Sequence, residues 1–181
     1  GYGTYVNVES AFTGKLCGGQ RPGHFRGVAT VVTKLMNLSR AQEAFFGQKD
    51  AQQVLVIKRF VKDLNIQVNV NMVPIVREES GLARSSRNAY LSPEEKQAAL
   101  VLSRSLKKAE EAYKAGETSV EALKNIVRNE IATEPMAVID YVELYSFDEL
   151  KEISQVKGES LLAIAVKIGK TRLIDNIIIG C

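Results

Sequence analysis

The stretch EAFFGQKDAQQVLVIKRFVKDLNIQVNVNMV, residues 43–73, predicts a strand, a helix and a second strand in succession. EAFFG is typical of a short buried strand, and IQVNVNMV alternates apolar and polar side chains as a strand does. The helix between them is predicted over residues 49–64 from apolar side chains at helical spacing: Val54, Ile57, Val61 and Leu64. A strand, helix and strand in this order indicate a parallel α/β layer.

The residues before this stretch predict another strand and another helix. TYVNV, residues 4–8, is strand-like, and CGGQRPG, residues 17–23, is a glycine-rich turn. The next segment, HFRGVATVVTKLMNL, has apolar side chains at the i, i+3, i+4 and i+7 positions of a helix buried on one face: Val28, Val31, Val32 and Leu35. Helix and strand signals alternate in this part of the chain, which supports the α/β interpretation.

The pattern changes after Pro74. Ser92 as N-cap and Pro93 at the first helical position predict a long helix that ends near Ala115, and a second helix is predicted from Ser119 to about Ile131. Strand patterns then follow in AVIDYVELYSF, SLLAIAVKIG and RLIDNIII. We therefore expect an α/β domain over residues 1–75 and a small α+β domain over residues 76–181, with two helices and a three-stranded antiparallel sheet.

Composition and charge exclude several classes of protein. The 24 basic and 21 acidic residues give a formal net charge of only +3, which is too weak to indicate nucleic acid or an anionic membrane as a partner. No apolar run reaches the ~20 residues that span a bilayer, and no charged-then-apolar leader opens the chain. Cys17 and Cys181 do not form the pattern of a disulfide framework or a zinc site. We expect a cytoplasmic protein.

The first candidate site follows the EAFFG strand. Gly47 ends the strand, and Lys49, Asp50 and Gln53 are placed in the first turn of the next helix, with Lys49 and Gln53 four positions apart on one face. Helix N-termini at the carboxyl ends of parallel strands bind anions, and a lysine adds a full charge there. The alternative is that Lys49 is a solvated lysine and Gln53 an ordinary surface residue.

The second candidate site is the loop RSSRN, residues 84–88. The hydroxyls of Ser85 and Ser86 can donate to phosphate oxygens, and Arg87 can pair with two such oxygens at once. A loop of this kind can also close after a ligand has entered. The alternative is a solvated turn before a helix.

His24 is the only histidine of the chain. One histidine without a cluster of cysteines or carboxylates is poor evidence for a metal site, and we expect no metal ligands. Its position at a helix start, between Arg21 and Arg26, is compatible with a role in substrate binding. A role in capping that helix is the alternative.

Five motifs occur in the same order as in the pantoate–β-alanine ligase family, which the chain resembles from about residue 4 to its C-terminus. They are RPGHFRGVATVV, FFGQKDAQQ, VPIVRE, GLARSSRNAYLS and TRLIDN. The resemblance implies part of a Rossmann-like nucleotide-binding domain, similar to that of class I synthetases and nucleotidyltransferases, in residues 1–75. It also implies a smaller C-terminal lid domain in residues 76–181.

The resemblance implies an ATP-dependent ligase that uses Mg²⁺ and acts as a homodimer. ATP and (R)-pantoate would give pantoyl adenylate and pyrophosphate, and β-alanine would displace AMP to give pantothenate. The implied ATP contacts are Gly47, Gln48, Lys49, Asp50, Val76, Arg84, Ser85, Ser86 and Arg87. Of these, Lys49, Ser85, Ser86 and Arg87 would be catalytic. Gln53, Arg21 and His24 would contact pantoate or β-alanine.

The chain departs from the family pattern in two places. The family has a His-x-Gly-His motif whose histidines contact the ATP phosphates, and a glutamine that contacts pantoate and β-alanine, and the 181 residues contain neither. We therefore expect a C-terminal portion that is inactive alone. Arg84 stands where the family often has an apolar residue. The alternative function is a non-catalytic nucleotide-binding or assembly module with this fold.

Overall fold

A computed structural model of the chain describes residues 3–180, so that Cys181 lies outside the described residues. The chain divides into two compact units, residues 1–74 and residues 75–181. Within residues 3–180, no helix is both long and apolar enough to cross a membrane. Cys17 forms no disulfide in this part of the chain.

The first unit is an α/β unit, as the sequence predicted. Its helices and strands in chain order are α1 (Ser10–Thr13), α2 (Leu16–Gln20), α3 (His24–Ser39), β1 (Glu43–Gly47), α4 (Ala51–Asp63) and β2 (Asn69–Val73). A 3₁₀ turn over Gln48–Asp50 joins β1 to α4.

The two strands of this unit are parallel. Glu43 pairs with Asn69 at one end of the register and Gly47 with Val73 at the other. The chain between them crosses over through α4, which is the connection that a parallel pair requires. The predicted parallel strand, helix and strand over residues 43–73 are therefore confirmed.

The core of the first unit forms around α4. Val54, Ile57 and Val61 are buried as predicted, and Phe25, Ala29 and Met36 are the buried apolar side chains of α3, which packs against α4. Burying one such large apolar side chain contributes about 1.5–3 kcal/mol to folding. Burial at the end of α4 was predicted wrongly, since Leu64 follows the helix and is 50% exposed.

The predicted buried face of α3 was wrong in part. Val31 and Leu35 are 52% and 58% exposed, whereas Ala29 and Thr30 are buried. The helix has apolar side chains on more than one side, and the helical period identifies the helix without deciding which side faces the core. The contact with α4 decides which side of α3 faces the core.

Two predictions about strands were also wrong. Residues 4–8 are not a strand, because the backbone of Val6 bonds to a side chain instead of a neighbouring strand. Its N–H donates to Thr30 Oγ1 at 3.0 Å. EAFFG does form β1, but it is not buried, and Phe45 is 67% exposed. Strand propensity measures how well side chains fit a pleated surface, whereas burial depends on which elements pack against the strand.

The second unit is the predicted α+β unit. Its elements are a 3₁₀ turn over Ser86–Tyr90, α5 (Pro93–Lys114), α6 (Val120–Ile131), β3 (Ala137–Ser146), β4 (Ser160–Ile168) and β5 (Thr171–Ile179). The strands form an antiparallel sheet in the order β3-β4-β5.

Local sequence signals set the helix boundaries of this unit. Ser92 Oγ accepts the N–H of Glu95 at 3.2 Å, and the Glu95 carboxylate accepts the N–H of Ser92 at 2.9 Å. This capping box, with Pro93 at the first helical position, starts α5 at the predicted residue. Ser119 caps α6 through the N–H of Ala122.

The core of the second unit lies between its helices and the sheet. The central strand β4 is buried along almost its whole length, with Lys167 as its exposed residue. The side chains on one face of β4 join a cluster to which α5 and α6 also contribute. Its members from these elements include Leu162, Ile164, Val166 and Ile168 of β4, Val101, Leu102 and Leu106 of α5, and Leu123 and Val127 of α6. This core supports the segment before α5, which contains the RSSRN loop.

Candidate functional site

The turn between β1 and α4 places the first group of candidate residues. Gly47 ends the strand, Gln48 and the half-buried Lys49 lie in the 3₁₀ turn, and the exposed Asp50 directly precedes α4. Gln53 is half-buried in the first turn of α4. The N–H groups of this turn and the positive end of the α4 dipole lie together, as an anion site requires.

One detail of the prediction for this turn was wrong. Lys49 and Asp50 precede α4 and are not in its first turn, since the helix begins at Ala51. The four-residue spacing of Lys49 and Gln53 therefore does not run along one continuous helix. Lys49 lies instead in the tighter turn that leads from the strand into the helix.

Gln52 is a buried residue of this turn that the sequence did not single out. It is 6% exposed, and its Nε2 donates to the backbone oxygens of Phe12 and Lys15 at 2.9 and 2.7 Å. These bonds fix the end of α1 and the residue before α2 against the start of α4. The QQ pair at positions 52 and 53 could have indicated a buried amide, because the pattern of the helix places Gln52 among apolar neighbours.

The RPGH segment lies near the same turn. His24 begins α3, and its Nε2 is 3.5 Å from Arg21 Nη1. Burial lowers the pKa of His24, the charge of Arg21 lowers it further, and the charge of Asp50 acts in the opposite direction. The start of α3 and the turn before α4 belong to the same unit, in which α3 packs against α4.

The second group of candidate residues lies in the second unit. The Arg84 N–H donates to Val76 O at 2.9 Å, so the two residues are adjacent although eight positions separate them. Val76 is 59% exposed, and Arg84, Ser86 and Arg87 are exposed. Ser85 is half-buried, and its Oγ accepts the N–H of Arg87 at 3.2 Å, which caps the 3₁₀ turn. The loop thus presents two guanidinium groups and a hydroxyl to solvent.

Both groups offer cations and hydrogen-bond donors to an anionic ligand. A lysine and a helix N-terminus are present in the first unit, and two arginines and two hydroxyls in the second. Within residues 3–180, no three histidine, cysteine or acidic side chains are grouped to hold a metal ion. Each group by itself has the residue types that bind phosphate groups.

By its fold, the chain is an α/β protein with a second α+β unit and basic turns in both. It belongs to the pantoate-beta-alanine ligase family, because the model of that family matches residues 1–178.

Two relatives define the likeness further. The pantothenate synthetase of Pelotomaculum thermopropionicum is 62% identical over 180 residues, which are 99% of this chain and 64% of that protein. The crystal structure of the pantothenate synthetase of Thermus thermophilus matches with a TM-score of 0.93 and 42% identity, over 98% of this chain and 64% of that one.

A third relative carries ligands. The pantoate-beta-alanine ligase of Francisella tularensis, complexed with beta-gamma ATP and beta-alanine, matches with a TM-score of 0.70 and 29% identity. The match covers 96% of this chain and 57% of that one. The chain thus spans less than two thirds of the length of these relatives.

Proposed function

We propose that this chain is part of a pantothenate synthetase, which joins (R)-pantoate to β-alanine at the expense of ATP. The observation that carries the proposal is the match of residues 1–178 to the ligase family. The cations and hydrogen-bond donors of the two basic turns support it, because these groups suit phosphate. The Francisella tularensis relative, which is complexed with beta-gamma ATP and beta-alanine, supports it too.

The first step is adenylation of pantoate. A carboxylate oxygen of pantoate attacks the α-phosphorus of ATP, the bond to the bridging oxygen breaks, and pyrophosphate leaves with the electron pair. The protein must align the attacking carboxylate and stabilise the negative charge that moves onto pyrophosphate. We assign this charge stabilisation to Lys49, Arg87 and the hydroxyls of Ser85 and Ser86.

The second step transfers the pantoyl group. The neutral amine of β-alanine attacks the acyl carbon of the adenylate, AMP leaves with the electron pair of the acyl–oxygen bond, and the new amide loses a proton. Formation of the amide bond is favourable because the carboxyl group is activated as an adenylate. We assign Gln53 to pantoate, and Arg21 and His24 to the pantoate and β-alanine side.

The remaining assignments concern the nucleotide. The turn Gly47–Asp50 contacts ATP through its backbone N–H groups and Lys49. Val76 and Arg84 contact the adenine side, and the loop of Ser85, Ser86 and Arg87 contacts the phosphates. Residues 1–75 then form part of the Rossmann-like domain, and residues 76–181 form the lid domain.

We propose that the reaction uses Mg²⁺. The residues present fit an ion that is held by one carboxylate together with the phosphates of ATP. Mg²⁺ is usually held by one or two carboxylates together with the substrate's phosphates. Asp50 is the exposed carboxylate of the proposed ATP turn. It could share a metal that arrives with the nucleotide, and that ion would neutralise phosphate charge when bound.

We also propose that the complete protein is a cytoplasmic homodimer and that residues 1–181 alone do not turn over. The proposed reaction needs groups on more than one side of the reacting phosphorus, and the chain spans 64% of the Pelotomaculum thermopropionicum protein. The second candidate function, a non-catalytic nucleotide-binding or assembly module, predicts binding of ATP without chemistry.

The test uses a full-length chimera in which residues 1–181 replace the matching region of the Pelotomaculum thermopropionicum protein. Pyrophosphate release is measured with ATP, Mg²⁺, pantoate and β-alanine, for the chimera and for the 181-residue chain with and without the remaining segment added in trans. Turnover by the chimera at a rate near that of the parent supports the synthetase. ATP binding without turnover favours the module, and turnover by the 181 residues alone contradicts their proposed inactivity.

A further inference from the structure

The RSSRN loop begins at a short hairpin. Its base is closed by the bond from Arg84 N–H to Val76 O, and the Glu78 N–H donates to Leu82 O at 2.8 Å. Gly81 makes the turn with a φ of +95°, a backbone conformation that favours glycine. The position of this hairpin therefore sets the position of the first residue of the loop.

An ion pair fastens the hairpin to the sheet. Arg77 donates to the carboxylate of Asp175 on β5 through both Nη atoms, at 2.7 and 3.0 Å. Arg77 Nη1 also donates to Gly81 O across the hairpin at 3.2 Å. The Asp175 side chain is only 2% exposed, so this pair is anchored in the unit's interior. Two-pronged pairing of this kind fixes direction as well as distance.

A buried amide then fastens the loop to the hairpin. Asn88 is 5% exposed, and its Nδ2 donates to Glu78 Oε1 at 2.8 Å and to Ala83 O at 3.1 Å. Both partners are acceptors, so the NH₂ group must point at them. The 3₁₀ turn that contains Ser86 and Arg87 is thereby tied to the residue that follows Arg77.

The side chains that face solvent in this loop have no such support. The side chains of Arg84, Ser86 and Arg87 make no hydrogen bond or ion pair within residues 3–180. Their positions depend on the backbone, and the backbone depends on the hairpin and on Asn88. A phosphate-binding group displaced by about 1 Å can lose much of its effect.

We propose that Arg77, Glu78, Asn88 and Asp175 are positioning residues for the phosphate-binding loop. Asp175 holds Arg77 and Glu78 holds Asn88, and the two pairs are connected through the hairpin because Arg77 and Glu78 are adjacent; we call these four residues the network. The four residues come from three motifs of the chain: VPIVRE, GLARSSRN and TRLIDN. The inference rests on the proposed function, since it takes Ser85, Ser86 and Arg87 as ligands of the nucleotide's phosphates.

The first test changes the amide of Asn88. Asn88→Asp in the chimera places a carboxylate against Glu78 and Ala83 O, which are both acceptors. The KM for ATP is expected to rise at least tenfold, while the KM for pantoate stays within twofold. Glu78→Gln keeps an acceptor for Asn88 and should change the KM for ATP less than threefold. Asn129→Asp, at an exposed position of α6, is the matched control for the added charge.

The second test asks for rescue. In the double variant Glu78→Gln with Asn88→Asp, the glutamine amide can donate to the new carboxylate, and the KM for ATP should recover at least threefold. A network that only supports folding would lower the melting temperature and the active fraction, and would leave the KM for ATP unchanged. That result, or a double variant no better than Asn88→Asp, overturns the inference.

ATP binding measured by calorimetry separates this inference from the proposed function. If the chimera binds ATP without turnover, the proposed synthetase reaction fails, and a tenfold weaker affinity in Asn88→Asp still supports the network. An Asn88→Asp variant that binds ATP as tightly as its parent overturns the network. A chimera that binds no ATP overturns both.

Discussion

Arg77 and Asp175 are 98 positions apart in the chain and meet in two hydrogen bonds of 2.7 and 3.0 Å. The pair joins the hairpin before the RSSRN loop to the last strand of the sheet. The carboxylate is buried while the guanidinium is 30% exposed, so that water reaches one partner only. Removing the carboxylate's charge would leave its surroundings arranged for an anion.

Asp175→Asn is therefore expected to lower the free energy of unfolding by on the order of 2 kcal/mol, since it weakens a buried, charged hydrogen-bonded pair. Urea unfolding of the 181-residue chain, followed by circular dichroism, measures the change. Glu111→Gln is the control, because its contact with Lys107 is exposed on both sides and 3.9 Å long. Such a surface pair is worth about 0–1 kcal/mol. Equal effects of the two variants would contradict the prediction.

The start of α5 gives a second prediction about stability. Ser92→Ala removes the acceptor for the Glu95 N–H and is expected to cost about 1 kcal/mol. Ser92→Asp keeps an acceptor at the N-cap and should cost much less. Urea unfolding compares the two, and a loss of the same size in Ser92→Asp would show that the cap hydrogen bond is not the cause.

Features that depend on local sequence were predicted well. The N-cap at Ser92 with Pro93 after it, and the strand, helix and strand of residues 43–73, were predicted from short stretches of sequence, and the structure confirms them. The exposed side of α3 was not predictable in this way. Val31 and Val28 are equally apolar, and the contact with α4 decides which one faces the core.

The buried polar residues near the two basic turns were also missed, for a related reason. Gln52 donates a hydrogen bond to Phe12, which is 40 positions away in the chain. Asn88 donates to Glu78, which lies on a hairpin that no sequence pattern predicted. The hydrogen-bond partners of a buried amide become visible only when the fold places them. The exposed members of the loop, by contrast, carry their chemistry in their residue types, so the sequence could name them as candidates.

Lys49 is expected to be the cation of the proposed ATP turn. Lys49→Ala in the chimera should slow adenylate formation by on the order of 10² to 10³, as loss of one preorganised charge at a developing anion does. Single-turnover formation of pyrophosphate measures the step. Lys62→Ala, in the last turn of α4, is the control for removal of a positive charge. Single-turnover rates of Lys49→Ala within threefold of the parent would rule out the role.

Arg87→Lys is expected not to be a conservative change. Lysine keeps the charge but lacks the planar fork that pairs with two phosphate oxygens. ATP-dependent pyrophosphate release should fall on the order of ten- to a hundredfold, which is the range for loss of a hydrogen bond to a charged group. Arg128→Lys on α6 is the control for the same substitution at an unrelated position. An unaffected rate in Arg87→Lys would mean that the guanidinium geometry is not used.

The titration of His24 should report the electrostatics near the β1–α4 turn. Burial and the nearby Arg21 lower the pKa of His24, so its midpoint is expected below the ordinary value of 6.5. Because the chain has one histidine, its Hε1 resonance in a proton NMR titration gives this midpoint without assignment among several histidines. A midpoint at or above 6.5 would show that the charge of Asp50 dominates instead.

Two variants separate the causes of this lowered pKa. Arg21→Ala removes a repelling charge and should raise the midpoint of His24, whereas Asp50→Asn removes an attracting charge and should lower it further.

The lowered pKa of His24 also makes the free energy of unfolding depend on pH. Below pH 6.5 the unfolded chain binds a proton at His24 more readily than the folded chain, so His24 makes unfolding easier as the pH falls to the folded midpoint. Above pH 6.5 it has no such effect. A stability profile in which Arg21→Ala leaves the slope between pH 6.5 and the folded midpoint unchanged would show that Arg21 does not act on His24.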